Sequence, residues 1–340
     1  MNPGGAKKTK SLFVLALAII AAFLLITKTN LLRGPARQPA QGEWQSMPDV
    51  NLSNGLVGVA FTDSGEAGAI LVNSGQVILS QDGGVNWRKT SSSLEDAEMH
   101  FTACLAMPSP DRVLFGTTVD DGSPYAAVYE VTSSGRQRVV WSGEYGGLLG
   151  ASPDGRFFVG NNGLLLKLEG DNPQAVQAPQ CGQVVLYGVS QQQERVIAVG
   201  ASGTVLISED GGRTWGCKQL DGRPELHRVV QTDKAVLVAG DRGAIWRYEP
   251  ATQAWSKASG VQSWMSVWAL YLNGDGEAYA AGGDDQATRP FILRSSDGGK
   301  TWTPEPVRGT NSRVMGVALG KAGLFAVSFD GHVLIRGPAT

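Results

Sequence analysis

Histidine and cysteine are scarce in this chain, three of each among 340 residues. His100, His227 and His332 lie far apart, and none has a second histidine two or four positions away, so no His-x-His or His-x-x-x-His zinc spacing is present. Cys104, Cys181 and Cys217 are spread as widely and form no Cys-x-x-Cys pair. Cys181 and Cys217 can bridge if the chain is exported; buried free thiols are the other reading. A phosphate-binding glycine loop and a Ser-His-Asp order are also missing. Asn273-Gly-Asp275-Gly-Glu277 falls short of a twelve-residue calcium loop and reads as a strand-connecting turn, and Asp284 and Asp285 read as a solvated loop pair. No catalytic residue, cofactor or metal site is expected.

Acidic residues are absent from the first 37 positions, which carry six of the 29 Lys and Arg. From residue 38 onward 23 basic side chains face 31 acidic ones, a net charge of −8 that argues against nucleic acid as a partner. Only one long apolar run exists, Leu12 to Ile26, with Lys7, Lys8 and Lys10 ahead of it. As a helix at roughly 1.5 Å per residue it spans a little over 20 Å, short of a roughly 30 Å hydrocarbon core unless flanking residues snorkel. No small-x-small cleavage site or lipobox cysteine follows, so an uncleaved anchor is expected, with a signal peptide as the competing reading. The leading lysines place residues 1–10 in the cytoplasm and send the rest across a bacterial inner membrane into the periplasm. Residues 11–27 are thus the anchor, 28–42 a tether with Pro35 and Pro39, and 43–340 the folded domain.

What that domain has in abundance is glycine, 45 residues, alongside 42% hydrophobic side chains, the profile of a turn-dense all-β fold. One turn occurs three times: Ser80-Gln-Asp82-Gly-Gly84-Val-Asn86-Trp87, Ser208-Glu-Asp210-Gly-Gly212-Arg-Thr214-Trp215 and Ser295-Ser-Asp297-Gly-Gly299-Lys-Thr301-Trp302. In such a hairpin the Asp accepts backbone N–H bonds, the glycines supply positive φ and the Trp anchors the next strand. The tryptophans are 128 and then 87 residues apart, three and two steps of about 43, the period of a four-stranded propeller blade.

Seven copies of that unit can be read, with second and third strands over Ala69–Leu79, Val113–Val131, Phe157–Leu168, Val196–Ile207, Ala235–Arg247, Ala278–Leu293 and Leu324–Ile335. Trp141 and Trp255 stand where turn tryptophans would fall in two copies that lack the turn. The seventh copy ends too near the C-terminus to hold a fourth strand. Trp44 lies 43 residues before Trp87, so the N-terminal segment is expected to supply that strand and close the ring.

The three turns are similar to the Asp-box, or bacterial neuraminidase repeat. Sialidases share it, but their Arg-Ile-Pro-like segment is missing, Arg289-Pro290 being the nearest dipeptide, and seven copies exceed their usual six blades. An exported sialidase-like or carbohydrate-binding propeller remains the alternative. Val199-Gly-Ala-Ser-Gly-Thr-Val-Leu-Ile-Ser-Glu-Asp-Gly-Gly-Arg-Thr-Trp215 resembles the photosystem II stability/assembly factor-like family, seven-bladed propellers exported to the lumenal or periplasmic side. That resemblance implies a non-enzymatic factor docking on a membrane-protein complex, with no small-molecule substrate. For members outside phototrophs it points to exporters of the resistance-nodulation-division type. The chain departs from the family in its bare anchor. If the turns join third to fourth strands, the blade connections and second-to-third turns share the opposite face, which gathers His100, Arg223, His227, Arg228, Arg242, Trp264, Arg289 and Arg313, the expected docking surface.

Overall fold

In the computed structural model, residues 31–33, 42–52, 55–90, 100–119, 125–170, 172–177 and 183–337 are described. They form seven antiparallel sheets, the blades of an all-β propeller. The expected anchor, residues 11–27, lies outside the described residues; among those described, no helix is long and apolar enough to cross a membrane.

The first strands of blades one to seven are Leu56–Phe61, His100–Ser109, Leu148–Ala151, Leu186–Gln192, Leu226–Gln231, Ser266–Leu272 and Val314–Gly320. They surround a central channel, lined in turn by Val59, Leu105, Ala151, Val189, Val229, Leu270 and Val317. Second strands such as Gly68–Val72, Val236–Gly240 and Ala278–Gly283 are buried along their whole length, because each lies between two neighbouring sheets. They therefore read as continuous small and apolar runs rather than as an alternation. Outer strands such as Gly216–Gln219 are exposed throughout. Seven separate apolar clusters result, one in each gap between adjacent blades.

The three repeated turns join third to fourth strands in blades one, four and six. In each, the Ser hydroxyl donates to the Asp carboxylate at 2.9, 2.8 and 2.7 Å, and the second glycine's N–H donates back to the Ser oxygen. The Asp also accepts the N–H of the residue before the Trp, Asn86, Thr214 or Thr301, at 2.8 to 3.0 Å. Each Trp indole N–H then closes on the carbonyl of that glycine. The second glycine is obligatory on two grounds. Gly84, Gly212 and Gly299 have φ of +95, +85 and +85°, and a Cβ there would overlap Phe325, Phe157 or Leu237 of the preceding blade.

Ring closure follows the sequence expectation. Trp44–Ser46 pairs antiparallel with Val333–Arg336 as the fourth strand of blade seven, Trp44 opposite Arg336. Met47 N–H donates to Val333 O, Leu52 N–H to Gly331 O and Val333 N–H to the Asn51 side chain. Trp44 is 5% exposed in the gap between blades six and seven, edge-on to Tyr279, and its indole N–H donates to Glu305 at 2.8 Å. It occupies the place that Trp87, Trp215 and Trp302 take in their blades, each packed against the blade before it. Trp141 and Trp255 do lie in outer strands.

Within the segment expected to be only a tether, Leu31–Arg33 pairs with Asn86–Arg88 as a fifth strand on blade one. The outer strand of that blade ends in an open row of backbone donors and acceptors, which an adjoining extended segment satisfies. Cys217 is disulfide-bonded and Cys104 is a free, buried thiol. Cys181, the one other cysteine of the sequence, lies outside the described residues.

Two stability outcomes follow. Trp44→Ala, or deletion of residues 43–47, should destabilise the whole domain, the substitution by about 3–5 kcal/mol on the scale of buried Trp truncations; an unchanged melting curve would refute closure by this strand. At Asp297, burial acts to raise the carboxyl, but bonds from Thr301, Ser295 and Lys300 outweigh it and hold the group down to about 2. Its stabilisation is present above the unfolded value of about 3.9 and lost as pH falls through the folded value. The melting-temperature gap between wild type and Asp297→Asn should stay constant above roughly pH 5 and close between roughly pH 4 and 2.

Candidate functional site

Every first strand carries the same irregularity near its start, a one-residue bulge flanked by Leu56/Gly58, Thr102/Cys104, Leu148/Gly150, Leu186/Gly188, Leu226/Arg228, Val267/Ala269 and Val314/Gly316. A bulge re-aims the side chains beside it. Two tiers result at the end of the channel where the blade connections arrive. The bulged residues form the outer tier, among them Tyr187, His227, Trp268 and Met315. The residues that follow form the inner tier: Gly58, Gly150, Gly188 and Gly316, with Cys104, Ala269 and Arg228.

Small residues suit the inner tier because neighbouring first strands converge there. A Cβ on Gly150, Gly188 or Gly316 would sit 2.6, 2.8 or 2.8 Å from backbone atoms of Tyr187, His227 or Val59 in the next blade. In the outer tier, His227 is 4% exposed and stacks flat on Trp268, centroids 4.2 Å apart at 10°, with Tyr187 edge-on at 5.3 Å. His227 Nε2 lies 2.8 Å from Asp241 Oδ1. The contact from His227, against an opposing effect of burial, holds the Asp241 carboxyl below its ordinary value, with Ser266 and Arg242 contributing. Arg313 lies over Trp268 at 5.1 Å and over Phe329 at 5.7 Å.

The remaining expected residues come from the loops of the same face. Arg223 lies in the connection from blade four to blade five, and Arg242 in the second-to-third turn of blade five; both have positive φ, +44 and +56°, uncommon for a long side chain. Arg289 is in the loop after Ala278–Gly283, with its guanidinium 4.0 Å from the centroid of Trp264. His100 begins the first strand of blade two. All eight residues therefore belong to segments at the end of the disc where the blade connections arrive.

Three of them, His100, His227 and Arg228, are strand rather than loop residues. His227 and Arg228 belong to the strand Leu226–Gln231, where the bulge turns His227 into an aromatic stack and Arg228 toward the channel. Arg313 is held between rings rather than fully solvated. Tyr187 and Trp268 were not anticipated. Their signal is the recurrent triplet of a branched apolar residue, any residue and a small one, as in Leu186-Tyr-Gly188 and Val267-Trp-Ala269.

Charge on this face is unevenly satisfied. Its carboxylates are engaged locally: Asp330 accepts from Thr310, Asn311 and Ser328, Asp284 from Thr288, and Glu225 from the Ser202 N–H. None of Arg223, Arg228, Arg242, Arg289 and Arg313 forms an ion pair among the described residues, whereas Arg112 and Arg138 share Glu130, Arg294 holds Glu277 and Arg336 holds Glu305 on the strands. The arrangement is one of cations and π-faces in which, among the described residues, those five arginines form no ion pair, suited to binding acidic or carbonyl-rich surfaces.

No family model and no curated protein matches the chain. Solved structures do. A structure described as YCF48 bound to D1 peptide is 18% identical and covers 90% of this chain and 98% of its own, with a TM-score of 0.66. YCF48 from Cyanidioschyzon merolae is 17% identical, covering 88% and 100%, at 0.64. A catalytically inactive virginiamycin B lyase from Staphylococcus aureus with quinupristin is 12% identical, covering 86% and 98%, at 0.67. At these identities the likeness shows the seven-bladed propeller fold and nothing narrower.

Proposed function

We propose that this chain is a non-enzymatic, membrane-anchored propeller that docks a membrane-protein complex through its connection face, as an assembly, stability or accessory factor. The observation that carries this reading is the set of arginines on that face that form no ion pair among the described residues, two of them in left-handed backbone and two laid over aromatic rings. Unpaired guanidinium groups beside Trp and Phe rings are the composition of interface anchors. The YCF48 structure with a peptide supports a protein ligand for this architecture. The resemblance to the photosystem II stability/assembly factor-like family supports a membrane-protein partner in particular.

The His227–Asp241 pair is not assigned a catalytic role, because the imidazole is buried, stacked on Trp268 and has one nitrogen occupied by the carboxylate. Export to the periplasm is supported by the disulfide at Cys217, since such bonds persist in oxidising compartments. It is supported also by the apolar run and its leading lysines, which would hold the disc at the bilayer and raise its local concentration there.

Arg223, Arg242 and Arg289 are the exposed members of the set, so reversing them leaves the channel and the His227 stack intact. The combined Arg223→Glu, Arg242→Glu and Arg289→Glu variant should lose in-cell crosslinking to its partner while melting within a few degrees of wild type; retained capture would move the docking surface elsewhere. Alkylation of the native protein under denaturing, non-reducing conditions should label one cysteine of three, Cys104, and all three after reduction. Three labelled cysteines without reduction would remove the support for an oxidising compartment.

A further inference from the structure

Arg228 is the one long side chain in the inner tier, and it stands where the six other blades carry Gly, Ala or Cys. The tier lines an open-mouthed cavity of about 150 Å³ on the propeller axis, and Arg228, partly exposed, is the charged residue among those lining it. Its surroundings are otherwise aliphatic, with Tyr187 and Cys104 as the other polar side chains. Among the described residues one of its five N–H donors is used, by Nη1 on the carbonyl of His227 at 2.9 Å. Removal from water depresses its basicity, and among the described residues the ionisable group that acts on it is Cys104, which belongs to blade two on the far side of the ring. Burial pushes the Cys104 thiol up to about 12, so it is neutral at physiological pH and supplies no counter-charge.

A guanidinium held in a largely apolar channel with no carboxylate partner among the described residues is costly, and protein interiors meet that cost by pairing the charge. The channel leaves room for the missing partner, since a water-sized molecule takes up roughly 30 Å³. The geometry points to an axial anion site, in which Arg228 binds one small monovalent anion, a carboxylate or a halide, inside the inner tier. The planar fork of Arg228 suits two-point contact with a carboxylate. The aliphatic remainder of the lining favours a weakly hydrated, singly charged ion over phosphate or sulfate. The site is separate from the exposed arginines of the docking face and stands independently of the proposed function.

The test is thermal melting of the propeller in sodium formate, acetate and bromide at fixed ionic strength, for wild type, Arg228→Gln and Arg228→Lys. Binding to the folded state raises the melting temperature in proportion to the logarithm of anion concentration once the dissociation constant is exceeded. Wild type should show that dependence, Arg228→Lys should show it at several-fold higher concentration, and Arg228→Gln should melt at one temperature in all three salts. An anion-independent wild type, or an undiminished dependence in Arg228→Gln, would overturn the site. If Arg228→Gln fails to fold, wild-type crystals grown in bromide decide the matter: an anomalous peak within hydrogen-bonding distance of the guanidinium supports the site, and its absence at saturating bromide rejects it. Triglycine with a free or an amidated C-terminus identifies the source of the carboxylate. Stabilisation by the free form alone means that a chain end also satisfies the site; stabilisation by formate but neither peptide means a free ion does.

Discussion

Closure of the ring constrains everything else in this molecule. Seven sheets radiating from an axis leave no open edge toward the channel only if the last is tied to the first. The chain achieves this by lending the strand Trp44–Ser46, from ahead of blade one, to the blade that its final strand ends. Trp44 fills the gap between blades six and seven as the turn tryptophans fill theirs, so one residue unites the two ends of the chain with the packing rule of the interior. With the ring closed, the first strands converge on one axis and their bulges line up in tiers. The positions of Arg228, His227 and Trp268 are consequences of that convergence.

The same constraint separates two kinds of arginine. Where strands run side by side, a guanidinium meets a carboxylate across the sheet, as in Arg294 with Glu277. Where the chain turns at the connection face, carboxylates fold back onto hydroxyls and backbone N–H groups of their own loops, as Asp330 and Asp284 do. Arginines in those turns lie over aromatic rings or form no ion pair among the described residues. Local turn chemistry, through the preference of Asp and Glu for nearby N–H donors, thus produces a face with available positive charge on a domain that is acidic overall.

Much of this was legible in the amino acids. The 43-residue step between Trp44 and Trp87 disclosed the closing strand, and the Ser-x-Asp-Gly-Gly turns disclosed the blade period and their own hydrogen bonds. Second and third strands were readable because burial on both faces makes them unbroken apolar runs, as at Gly68–Val72. The bulges were not read, since an inserted residue shifts the two-residue alternation by one and hides which side chains face the channel. Arg228 therefore looked like a loop residue when it is the single charge within the inner tier. The pairing of Leu31–Arg33 with blade one was also missed: three residues of strand carry no periodic signal, and only the open edge of a finished blade gives them a partner.

The proposed docking role requires that a partner meet the connection face. The most direct measurement is site-specific photocrosslinking in intact cells, with the photoreactive residue placed at 242, in the second-to-third turn of blade five, or at 233, in the first-to-second turn of the same blade on the opposite face. A membrane-protein adduct at 242 and none at 233 is the predicted result. An adduct at 233 with none at 242 would contradict it.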